Sequence, residues 1–396
     1  MTQKFAKRVD KLQPAAVYEI VKQVAGTDIV RLFVGNPGTE AIPTQEIAKV
    51  TAYILAKDPS PSLEYGPTEG YPPLRKMLAE NLLKDFGIGA YGDDEIIITS
   101  GGTQAIELCA RVFCDDGDTI ITENPTFVGT LGSFNGFGLN IIGIDMQTDG
   151  MDLDKLEEVL STQKNVRFVY VIPSFHNPTS WTMTLEKRKR LYEMAVRHGV
   201  MLVEDDAYRD LRYTGENLPT LKSMDTEGIV LYCGSFSKTI SPGLRVGYLI
   251  ANKKYLNKLA AAKQVTDVHT PFLAQMIVYE FMNQYNMDEH IKKIRGLYQE
   301  KLQITIDELK IHLGDKVSYI TPEGGLYVYC KLPEHIDVKD FFQKGIEAGV
   351  AIVAGSAFYV DPTEKSPYFR INFSAPPKED LKRGIKILGE VMKLFE

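Results

Sequence analysis

A lysine with two serines before it and an arginine after it marks a segment that could do chemistry, SFSKTISPGLR at 235–245. The apolar run IVLYC precedes it and predicts a strand, so Lys238 would lie in the loop where α/β sheets bind ligands. A lysine amine forms imines with aldehydes. Ser235, Ser237 and Arg245 could hold a phosphate, the arginine through two parallel hydrogen bonds. For this segment alone, the alternative is a surface lysine with polar neighbours.

Two adjacent carboxylates end another apolar run, in VEDDAY at 203–208. A carboxylate at such a place could pair with the protonated nitrogen of a pyridine ring. Tyr208 follows Asp205 closely enough for one turn of chain to bring its hydroxyl to the same ring. The alternative for Asp205 and Asp206 is a solvated loop, as for most such pairs.

Glycines separate a predicted strand from an amphipathic helix in ITSGGTQAIELCARVF at 98–113. Backbone N–H groups and the helix dipole at such a helix start form an anion site. The segment is neither G-x-G-x-x-G nor a P-loop, which disfavours dinucleotide or ATP binding. A tight turn between strand and helix is the alternative.

Two further loops follow predicted strands, ENPTFVG at 123–129 and PSFHNPTS at 173–180. Phe127 could stack on a flat ring, or it could be a core aromatic. Asn177 precedes a proline, which holds it extended with its amide free to donate. His176 beside it is interpreted as a packing residue.

The elements that must position these loops are short apolar runs alternating with helical patterns. Several runs are apolar at successive positions, which is typical of strands covered on both faces. The class is therefore α/β. The runs are EIIIT (95–99), DTIIT (118–122), LNIIGI (139–144), RFVYVI (167–172), VMLVE (200–204), IVLYC (229–233) and GYLIA (247–251).

After residue 252 the pattern changes to a helix-rich stretch followed by strands near 317–321, 326–332 and 368–373. We expect a smaller α+β domain there. The predicted division is an N-terminal segment over 1–47 that docks on the small domain, a large domain over 48–285 and the small C-terminal domain over 286–396.

Five loops at the carboxyl ends of parallel strands would meet in one crevice. Together they supply a phosphate clamp, a stacking ring, a carboxylate for a ring nitrogen, two donors for a phenolic oxygen and an imine-forming lysine. Those are the needs of pyridoxal 5′-phosphate (PLP), so the sequence predicts a PLP site. No His, Cys and Asp cluster has the spacing of a zinc site, so no metal is expected.

Composition excludes several other classes of protein. The chain has 396 residues, 44% of them hydrophobic, and a formal net charge of −7. Nucleic acid is therefore not an expected partner. No apolar run is long enough for a membrane span, and the first twenty residues lack a secretory signal pattern. Four cysteines without a C-x-x-C pair do not form a disulfide framework. We expect a cytoplasmic protein.

With these residues assembled, the chain resembles the fold-type-I PLP enzymes, class I/II aminotransferases, over nearly its whole length. It is most similar to the kynurenine/2-aminoadipate aminotransferases and to the aminotransferase-like domain of MocR-type regulators. The resemblance implies a mostly parallel seven-stranded sheet in the large domain. The motifs run in family order: Y-G-x-x-x-G (65–70), S-G-G-T-Q, E-N-P-T-F, N-P, D-x-A-Y, S-x-S-K with a downstream R-x-G, and Y-F-R-I-N-F (368–373).

The resemblance also implies roles. Lys238 would be the imine lysine and proton shuttle, and Asp205 would keep the ring nitrogen protonated. Asn177 and Tyr208 would bind the ring 3′-oxygen, and Phe127 would stack on the ring. The phosphate would be held by a group of residues that share one end of the site: Gly102, Thr103, Ser235, Ser237, Arg245 and, from the neighbouring subunit of a homodimer with shared active sites, Tyr65.

Arg370 would clamp the substrate α-carboxylate, helped by Asn177 and the backbone N–H of Gly35. No second arginine that could bind a carboxylate on the substrate side chain lies in a recognisable motif. Arg31 and Arg8 are the nearest N-terminal candidates. Specificity for aspartate-like substrates is therefore disfavoured. A set of aromatic side chains could equally line a pocket for aromatic substrates or simply pack in the core: Phe175, Phe272, Tyr327 and Phe358.

The implied activity is a ping-pong exchange of an amino group between an L-amino acid, aromatic, 2-aminoadipate-like or broad, and a 2-oxo acid, in amino-acid metabolism and biosynthesis. One alternative is a C–S lyase or decarboxylase on the same fold. The other is a PLP-sensing regulatory module, which is disfavoured because Lys238 and Arg370 are kept and no helix-turn-helix extension is apparent.

Overall fold

The structure is a computed structural model and describes residues 5, 12, 16–88 and 96–396. Most of the helices that it describes have three turns or more. In chain order the helices are α1 (Ala16–Gln23), α2 (Thr44–Lys57), α3 (Ser60–Leu63), α4 (Pro72–Phe86), α5 (Gly102–Phe113), α6 (Val128–Gly136), α7 (Leu153–Thr162), α8 (Leu185–His198), α9 (Lys253–Asp267), α10 (Phe272–Gln284), α11 (Met287–His312), α12 (Val338–Ala348) and α13 (Lys378–Met392).

The strands form one large sheet and two small ones. They are β1 (Val30–Arg31), β2 (Ile96–Thr99), β3 (Thr119–Asn124), β4 (Asn140–Gln147), β5 (Gly150–Met151), β6 (Val166–Val171), β7 (Met201–Asp205), β8 (Val230–Ser235), β9 (Gly247–Ile250), β10 (Ser318–Tyr319), β11 (Tyr327–Lys331), β12 (Val350–Ala351), β13 (Val353–Ala354) and β14 (Tyr368–Asn372).

The large sheet has the order β2-β9-β8-β7-β6-β3-β4-β5. Its strands are parallel except β9 and β5, which pair antiparallel with their neighbours. The α/β class and the mostly parallel sheet are confirmed. The count of seven strands is wrong by one, because β5 adds an eighth. It consists of only Gly150–Met151 and folds back on β4, so it is too short to leave an apolar run in the sequence.

Both faces of the large sheet are covered, as the successive apolar positions predict. Along β6, Phe168 and Tyr170 contribute to one apolar cluster, whereas Val169 and Val171 contribute to another. Side chains on a strand alternate between its two faces, so these clusters lie on opposite sides of the sheet. Burying each such side chain stabilises the fold by about 1.5–3 kcal/mol relative to exposure.

Local signals place some helix ends correctly. Helix α8 begins after Thr184, whose hydroxyl accepts a hydrogen bond from the N–H of Lys187, and it ends at Gly199. Gly199 has φ +66°, the left-handed conformation that glycine adopts without a steric cost. The C-cap expected from the sequence is confirmed.

The C-terminal strands form a four-stranded sheet of order β10-β11-β14-β13, antiparallel at every pairing. Helix α12 packs against β13, and α13 packs against both α12 and α11. From the other end of the chain, β1 pairs in parallel with β12, Val30 opposite Val350. The N-terminal segment therefore contacts the C-terminal region directly. Across residues 16–88 and 96–396, no helix is long and apolar enough to cross a membrane.

Candidate functional site

A cavity of about 340 Å³ opens at the carboxyl ends of the parallel strands. It also reaches the C-terminal antiparallel sheet, because Tyr327 of β11 and Arg370 of β14 line it. All of the site residues expected from the sequence except Tyr65 line this one cavity: Gly35, Gly102, Thr103, Phe127, Asn177, Asp205, Tyr208, Ser235, Ser237, Lys238, Arg245 and Arg370.

Lys238 lines the cavity from the loop that follows β8. Its Nζ donates a hydrogen bond to the carbonyl oxygen of Gly35 at 2.9 Å and lies 5.8 Å from the centre of the Tyr208 ring. Burial lowers the pKa of Lys238, and the nearby guanidinium groups of Arg370 and Arg245 lower it further. A larger fraction of this amine is therefore neutral at a given pH than for an exposed lysine.

Of the two adjacent carboxylates, only Asp205 lines the cavity. Asp206 faces away and accepts a hydrogen bond from the hydroxyl of Tyr232 at 3.1 Å. The split follows from strand geometry, since successive side chains point to opposite faces. The sequence-level alternative of a solvated loop is wrong for both, because Asp205 and Asp206 are each more than nine-tenths buried.

Asp205 is held by a tyrosine that the sequence did not single out. The hydroxyl of Tyr170 donates to Asp205 Oδ2 at 2.7 Å, and Thr130 Oγ1 donates to the Tyr170 hydroxyl at 3.1 Å. Burial raises the pKa of Asp205 to about 6, although the bond from Tyr170 opposes that shift. Tyr170 lies inside the apolar run RFVYVI, so its only sequence signal was that of a core residue.

Asn177 and Tyr208 meet in the same part of the cavity. Asn177 Nδ2 donates to the Tyr208 hydroxyl at 3.4 Å, and that hydroxyl lies 3.2 Å from the hydroxyl of Tyr327. Burial raises the pKa of Tyr208 well above its usual value. The amide and the phenol thus present two neutral hydrogen-bonding groups at one point.

An anion cradle lies where α5 begins and β8 ends. Arg245 Nη1 donates to Ser237 Oγ at 3.4 Å, and Ser235 Oγ lies 3.0 Å from that same oxygen. Gly101 has φ +81°, and a Cβ there would lie 2.3 Å from Arg245 Nη2. A side chain at 101 would therefore displace the guanidinium from the start of α5. Within the described part of the chain, no carboxylate pairs with Arg245, which leaves its charge available to a phosphate.

Arg370 is only 2% exposed and approaches the cavity from the C-terminal sheet. Its Nη1 donates to Asn177 Oδ1 at 2.7 Å and its Nη2 donates to the carbonyl oxygen of Phe33 at 2.8 Å. The guanidinium also lies over the rings of Tyr327 and Phe358, at 4.2 and 4.8 Å. Burial lowers the pKa of Arg370.

No carboxylate among residues 16–88 and 96–396 forms an ion pair with Arg370, and its Nε has no hydrogen-bond partner there. A buried guanidinium without a counter-charge is costly unless an anion binds it. The geometry therefore favours an external carboxylate at this end of the cavity.

Phe127 lies directly before α6 and forms part of the cavity wall. A Cβ at Gly129 would lie 2.6 Å from the Phe127 ring, so glycine is needed for the ring to lie where it does. Ala207 and Ile172 also line the cavity and were not singled out in the sequence. Flat and small apolar side chains of this kind suit a planar ring.

Tyr65 is the exception among the expected site residues. It is 89% exposed, and its ring contacts that of His269 edge-on, with 5.8 Å between ring centres. Within this chain it does not line the cavity. Its large exposed ring is available to another molecule.

The candidate specificity residues are dispersed. Arg31 is exposed in β1, outside the cavity lining, and Arg8 lies outside the described residues. Of the four aromatic side chains considered, Tyr327 lines the cavity, whereas Phe358 lies under Arg370. Phe175 packs against Arg212 and Phe272 against His269.

The cavity fits PLP by the chemistry of its donors. It combines an unpaired arginine with serine hydroxyls at a helix start, a buried carboxylate, two phenol-binding groups and a lysine with a lowered pKa. A phosphate, a pyridine nitrogen, a phenolic oxygen and an aldehyde would each find a matching group.

Comparison with known proteins points to the same chemistry. The family model described as "Aminotransferase class I and II" matches residues 27–388. The "Aromatic-amino-acid aminotransferase 1" of Thermococcus litoralis is 36% identical over 393 residues, covering 98% of this chain and 94% of that protein.

Two solved structures are similar over almost the whole chain. The α-aminoadipate aminotransferase LysN from Thermus thermophilus, complexed with N-(5′-phosphopyridoxyl)-L-leucine, has a TM-score of 0.91 and 36% identity, covering 99% of this chain and 97% of that one. The kynurenine aminotransferase of Pyrococcus horikoshii, in complex with PMP, has a TM-score of 0.93 and 34% identity, with 98% and 97% covered. The similarity extends over both the large sheet and the C-terminal sheet.

Proposed function

This chain belongs to the class I and II aminotransferases and is a PLP-dependent enzyme; from that premise we propose that its amino donors carry aromatic or apolar side chains. One observation supports this most directly. The cationic side chains that line the described cavity are Lys238, Arg245 and Arg370. PLP and the donor α-carboxylate engage all three, so none remains to pair with a second carboxylate on the donor side chain.

Apolar side chains at the cavity support the same preference. Val17 of α1, Ile106 of α5 and Val128 of α6 line it together with Tyr327. A donor side chain that contacts these groups gains from apolar burial, whereas a carboxylate there loses its hydration without a partner. Among the similar proteins, the aromatic aminotransferase and the kynurenine enzyme are therefore better guides to the donor than the α-aminoadipate enzyme.

A donor panel tests this proposal. Purified holoenzyme is mixed with phenylalanine, tyrosine, leucine, 2-aminoadipate or aspartate without an oxo acid, and the conversion of PLP to its amine form is followed by absorbance. We expect kcat/KM for the aromatic donors to exceed that for aspartate at least tenfold. Equal or faster conversion by the two acidic donors would refute the preference. Release of carbon dioxide without the amine form would indicate a decarboxylase instead, and release of a thiol from an added S-alkyl cysteine would indicate a C–S lyase.

We propose that the anion cradle holds the PLP phosphate and the wall at Phe127 holds the ring. Asp205 pairs with the ring nitrogen and keeps it protonated, while Asn177 and Tyr208 bind the ring oxygen. The phosphate ligands share the start of α5 and the loop after β8: Gly102, Thr103, Ser235, Ser237 and Arg245.

PLP, when bound, supplies an aldehyde that condenses with amines and a ring that accepts the electrons released at the donor Cα. Lys238 would hold the aldehyde between turnovers and, once the donor amine has displaced it, its free Nζ would take the proton from Cα. Its lowered pKa suits this task, because a general base works best when its pKa is near the operating pH. Arg370 orients the donor through its α-carboxylate, with Asn177 and the N–H of Gly35 beside it, so that the Cα proton faces Lys238.

We also propose a homodimer in which Tyr65 completes the partner's phosphate site. The ring is 89% exposed, and Leu63, two residues before it, and Val265, four residues before His269, are exposed large apolar side chains as well. The loop under Tyr65 carries His269 and adjoins the cradle, because Ser100 Oγ contacts Thr270 at 3.1 Å. A partner that covers this face would bring its own Tyr65 close to the cradle.

Mixed dimers test the shared site. Lys238→Ala and Tyr65→Ala homodimers are each impaired, and the two are unfolded and refolded together. If Tyr65 serves the partner's site, each mixed dimer keeps one site with both residues intact, and activity reappears. If Tyr65 serves its own subunit, or if the chain sediments as an active monomer, no activity is recovered and the proposal fails.

The division into segments 1–47, 48–285 and 286–396 remains a proposal, as do a cytoplasmic location and a role in biosynthesis. We propose no nucleic-acid or membrane partner, in keeping with the net charge of −7. Limited proteolysis that cuts first near 47 or 285 would support the domain boundaries.

A further inference from the structure

A buried lysine that no step of the reaction uses lies behind the anion cradle. Lys263, in the last turns of α9, has no exposed surface. Its Nζ donates to both carboxylate oxygens of Asp267, at 2.9 and 3.0 Å, and to Thr270 Oγ1 at 3.0 Å. It also donates to Gln104 Oε1 at 2.8 Å. Burying an ammonium group is costly, and here several short contacts offset that cost.

The contacts of this lysine lead directly to the loop before α5. Gln104 Oε1 accepts the backbone N–H of Ser100 at 2.8 Å as well as the bond from Lys263. Ser100 Oγ donates to Asp267 Oδ2 at 2.8 Å, and Gln104 Nε2 donates to the same oxygen at 2.7 Å. Ser100 is therefore fixed through both its backbone and its side chain.

On its other side, Ser100 contacts the cradle itself. Its carbonyl oxygen accepts a hydrogen bond from Arg245 Nη2 at 3.1 Å. Gly101 follows, and α5 begins at Gly102. A Cβ at Gly247 would lie 2.8 Å from the nitrogen of Gly102, so β9 leaves this loop little room from the opposite side. The position of the helix start and of Arg245 thus depends on where Ser100 is held.

We propose that Lys263, through Asp267 and Gln104, is a positioning residue for the loop that binds the PLP phosphate. The inference rests on the proposed phosphate site. It adds that the affinity for PLP depends on an ion pair, fully buried at Lys263 and partly buried at Asp267, that does not touch PLP.

Two physical effects act together when Lys263 is changed. Without its ammonium group, Gln104 and Asp267 lose the donor that orients them, so the loop at Ser100 is free to shift. The carboxylate of Asp267 also loses its counter-charge and would then repel a phosphate anion bound at the cradle. In the unmodified protein, burial alone would raise the pKa of Asp267. Hydrogen bonds from Lys263, Gln104 and Ser100 outweigh burial and lower that pKa, so the carboxylate is ionised at neutral pH.

The test measures PLP retention by the holoenzyme rather than turnover. Lys263→Met keeps the length of the side chain and removes its charge. We expect its PLP dissociation constant, from absorbance after dilution and from titration back with PLP, to rise at least about tenfold. With PLP saturating, kcat and the donor KM should stay within about threefold of wild type. A folded Lys263→Met protein that retains PLP like wild type overturns the proposal.

A second variant covers the case in which Lys263→Met fails to fold. Ser100→Ala removes the hydroxyl that links the loop to Asp267 and leaves the ion pair itself intact. We expect about a threefold to fivefold rise in the PLP dissociation constant. In a double variant Ser100→Ala/Lys263→Met, where it folds, the two losses should be less than additive because both act through Asp267. Wild-type retention of PLP by Ser100→Ala would also refute the inference.

Two controls separate this inference from its premise. Lys222 is also a buried lysine, paired with Asp225 at 3.0 Å near the amino end of β8, away from the cradle. Lys222→Met should lower the thermal midpoint but not PLP retention. Equal losses of PLP in Lys222→Met and Lys263→Met would mean a general effect of burying a lone carboxylate and would overturn the proposal.

Arg245→Ala tests the phosphate site itself. If Arg245→Ala retains PLP normally, the proposed phosphate site is wrong. If Arg245→Ala loses PLP but Lys263→Met retains it, the phosphate site stands and the positioning role of Lys263 is wrong.

Discussion

The two ends of the cavity are built in different ways. The end that we propose binds phosphate, here the phosphate end, consists of the start of α5 and the loop after β8, and its cation, Arg245, is exposed. The end that we propose binds the donor carboxylate, here the carboxylate end, consists of single residues from distant parts of the chain, and its cation, Arg370, is almost fully buried. Arg370 contacts Phe33 from the N-terminal segment and Asn177 from the loop after β6.

This difference matches what we propose that each end binds. PLP would stay in place through every turnover, and a cradle of backbone N–H groups suits a permanent anion. Donor and oxo acid would exchange at the other end, where the buried guanidinium has only neutral partners in this structure, Asn177 Oδ1 and the Phe33 carbonyl. Substitutions should therefore separate into those that weaken PLP binding and those that weaken substrate binding.

Lys238 lies between the two ends and should show the largest effect. We predict that Lys238→Ala abolishes turnover, because the imine partner and the base for the Cα proton are lost together. Both ends remain intact, so the variant should still bind PLP through the phosphate cradle and still bind donor. Steady-state rates and PLP content check this. Near-normal turnover in Lys238→Ala would remove Lys238 from the mechanism.

Arg370→Lys tests the carboxylate end alone. A lysine cannot reproduce the two parallel hydrogen bonds that a guanidinium makes with a carboxylate. We predict a loss of at least about a hundredfold in kcat/KM, or about 2.7 kcal/mol, for aromatic and aliphatic donors alike. PLP content should be unchanged. A loss confined to acidic donors would mean that Arg370 binds the side chain and that the α-carboxylate site lies elsewhere.

Asp205→Asn should slow turnover by more than about tenfold, or about 1.4 kcal/mol of barrier, because the ring nitrogen loses the charge that keeps it protonated. Stopped-flow conversion of PLP to its amine form measures this step. A smaller change would argue against the assigned role. Substrate affinity at Arg370 should not change, which distinguishes this variant from the preceding one.

The same substitution should alter how stability depends on pH in the protein without PLP. Burial raises the pKa of Asp205 to about 6, above its unfolded value of about 3.9. The folded state therefore holds this proton more tightly, and its stability falls as pH rises from about 4 to about 6, by about 3 kcal/mol at most. In urea titrations across that pH range, the free energy of unfolding of Asp205→Asn should not show this decline. An unchanged decline would assign it to another group.

Arg245→Ala tests the phosphate end. We predict about a tenfold to thirtyfold rise in the PLP dissociation constant, because the cradle loses its cation. With PLP saturating, donor kcat/KM should stay within a few-fold of wild type. If instead the donor KM rises as much as the PLP dissociation constant, the two ends are coupled and the contrast drawn above is wrong.

Tyr170→Phe should show the smallest effect, about twofold to fivefold in kcat. The hydroxyl of Tyr170 orients Asp205 and opposes the rise of its pKa, so its loss should raise that pKa further. Asp205 then becomes protonated at a higher pH. The pH at which PLP affinity begins to fall on acidification should therefore rise. PLP titrations between pH 5 and 8 check the direction, and a downward movement would exclude the orienting role.

Much of the site could be predicted because its chemistry lies in short segments. The lysine loop at 235–245, the turn at Gly101 and the strand end at Asp205 each carry residue types that only a few functions need. The apolar runs between them predicted the parallel sheet, and a parallel sheet brings the carboxyl ends of its strands together. Membership in the family then follows from the order of motifs along the chain.

Tertiary structure gave the physical reason for choosing between two neighbours and showed what supports the chosen one. By residue type Asp205 and Asp206 are equivalent; the D-x-A-Y motif already indicated Asp205, and the position of the cavity relative to β7 explains why. Tyr170 and Lys263 carried only the signals of a core strand and of a helix, because Asp205, which Tyr170 contacts, and Gln104, which Lys263 contacts, lie far away along the chain. A local pattern determines secondary structure and local chemistry. Partners that are distant in sequence meet only when the whole chain packs.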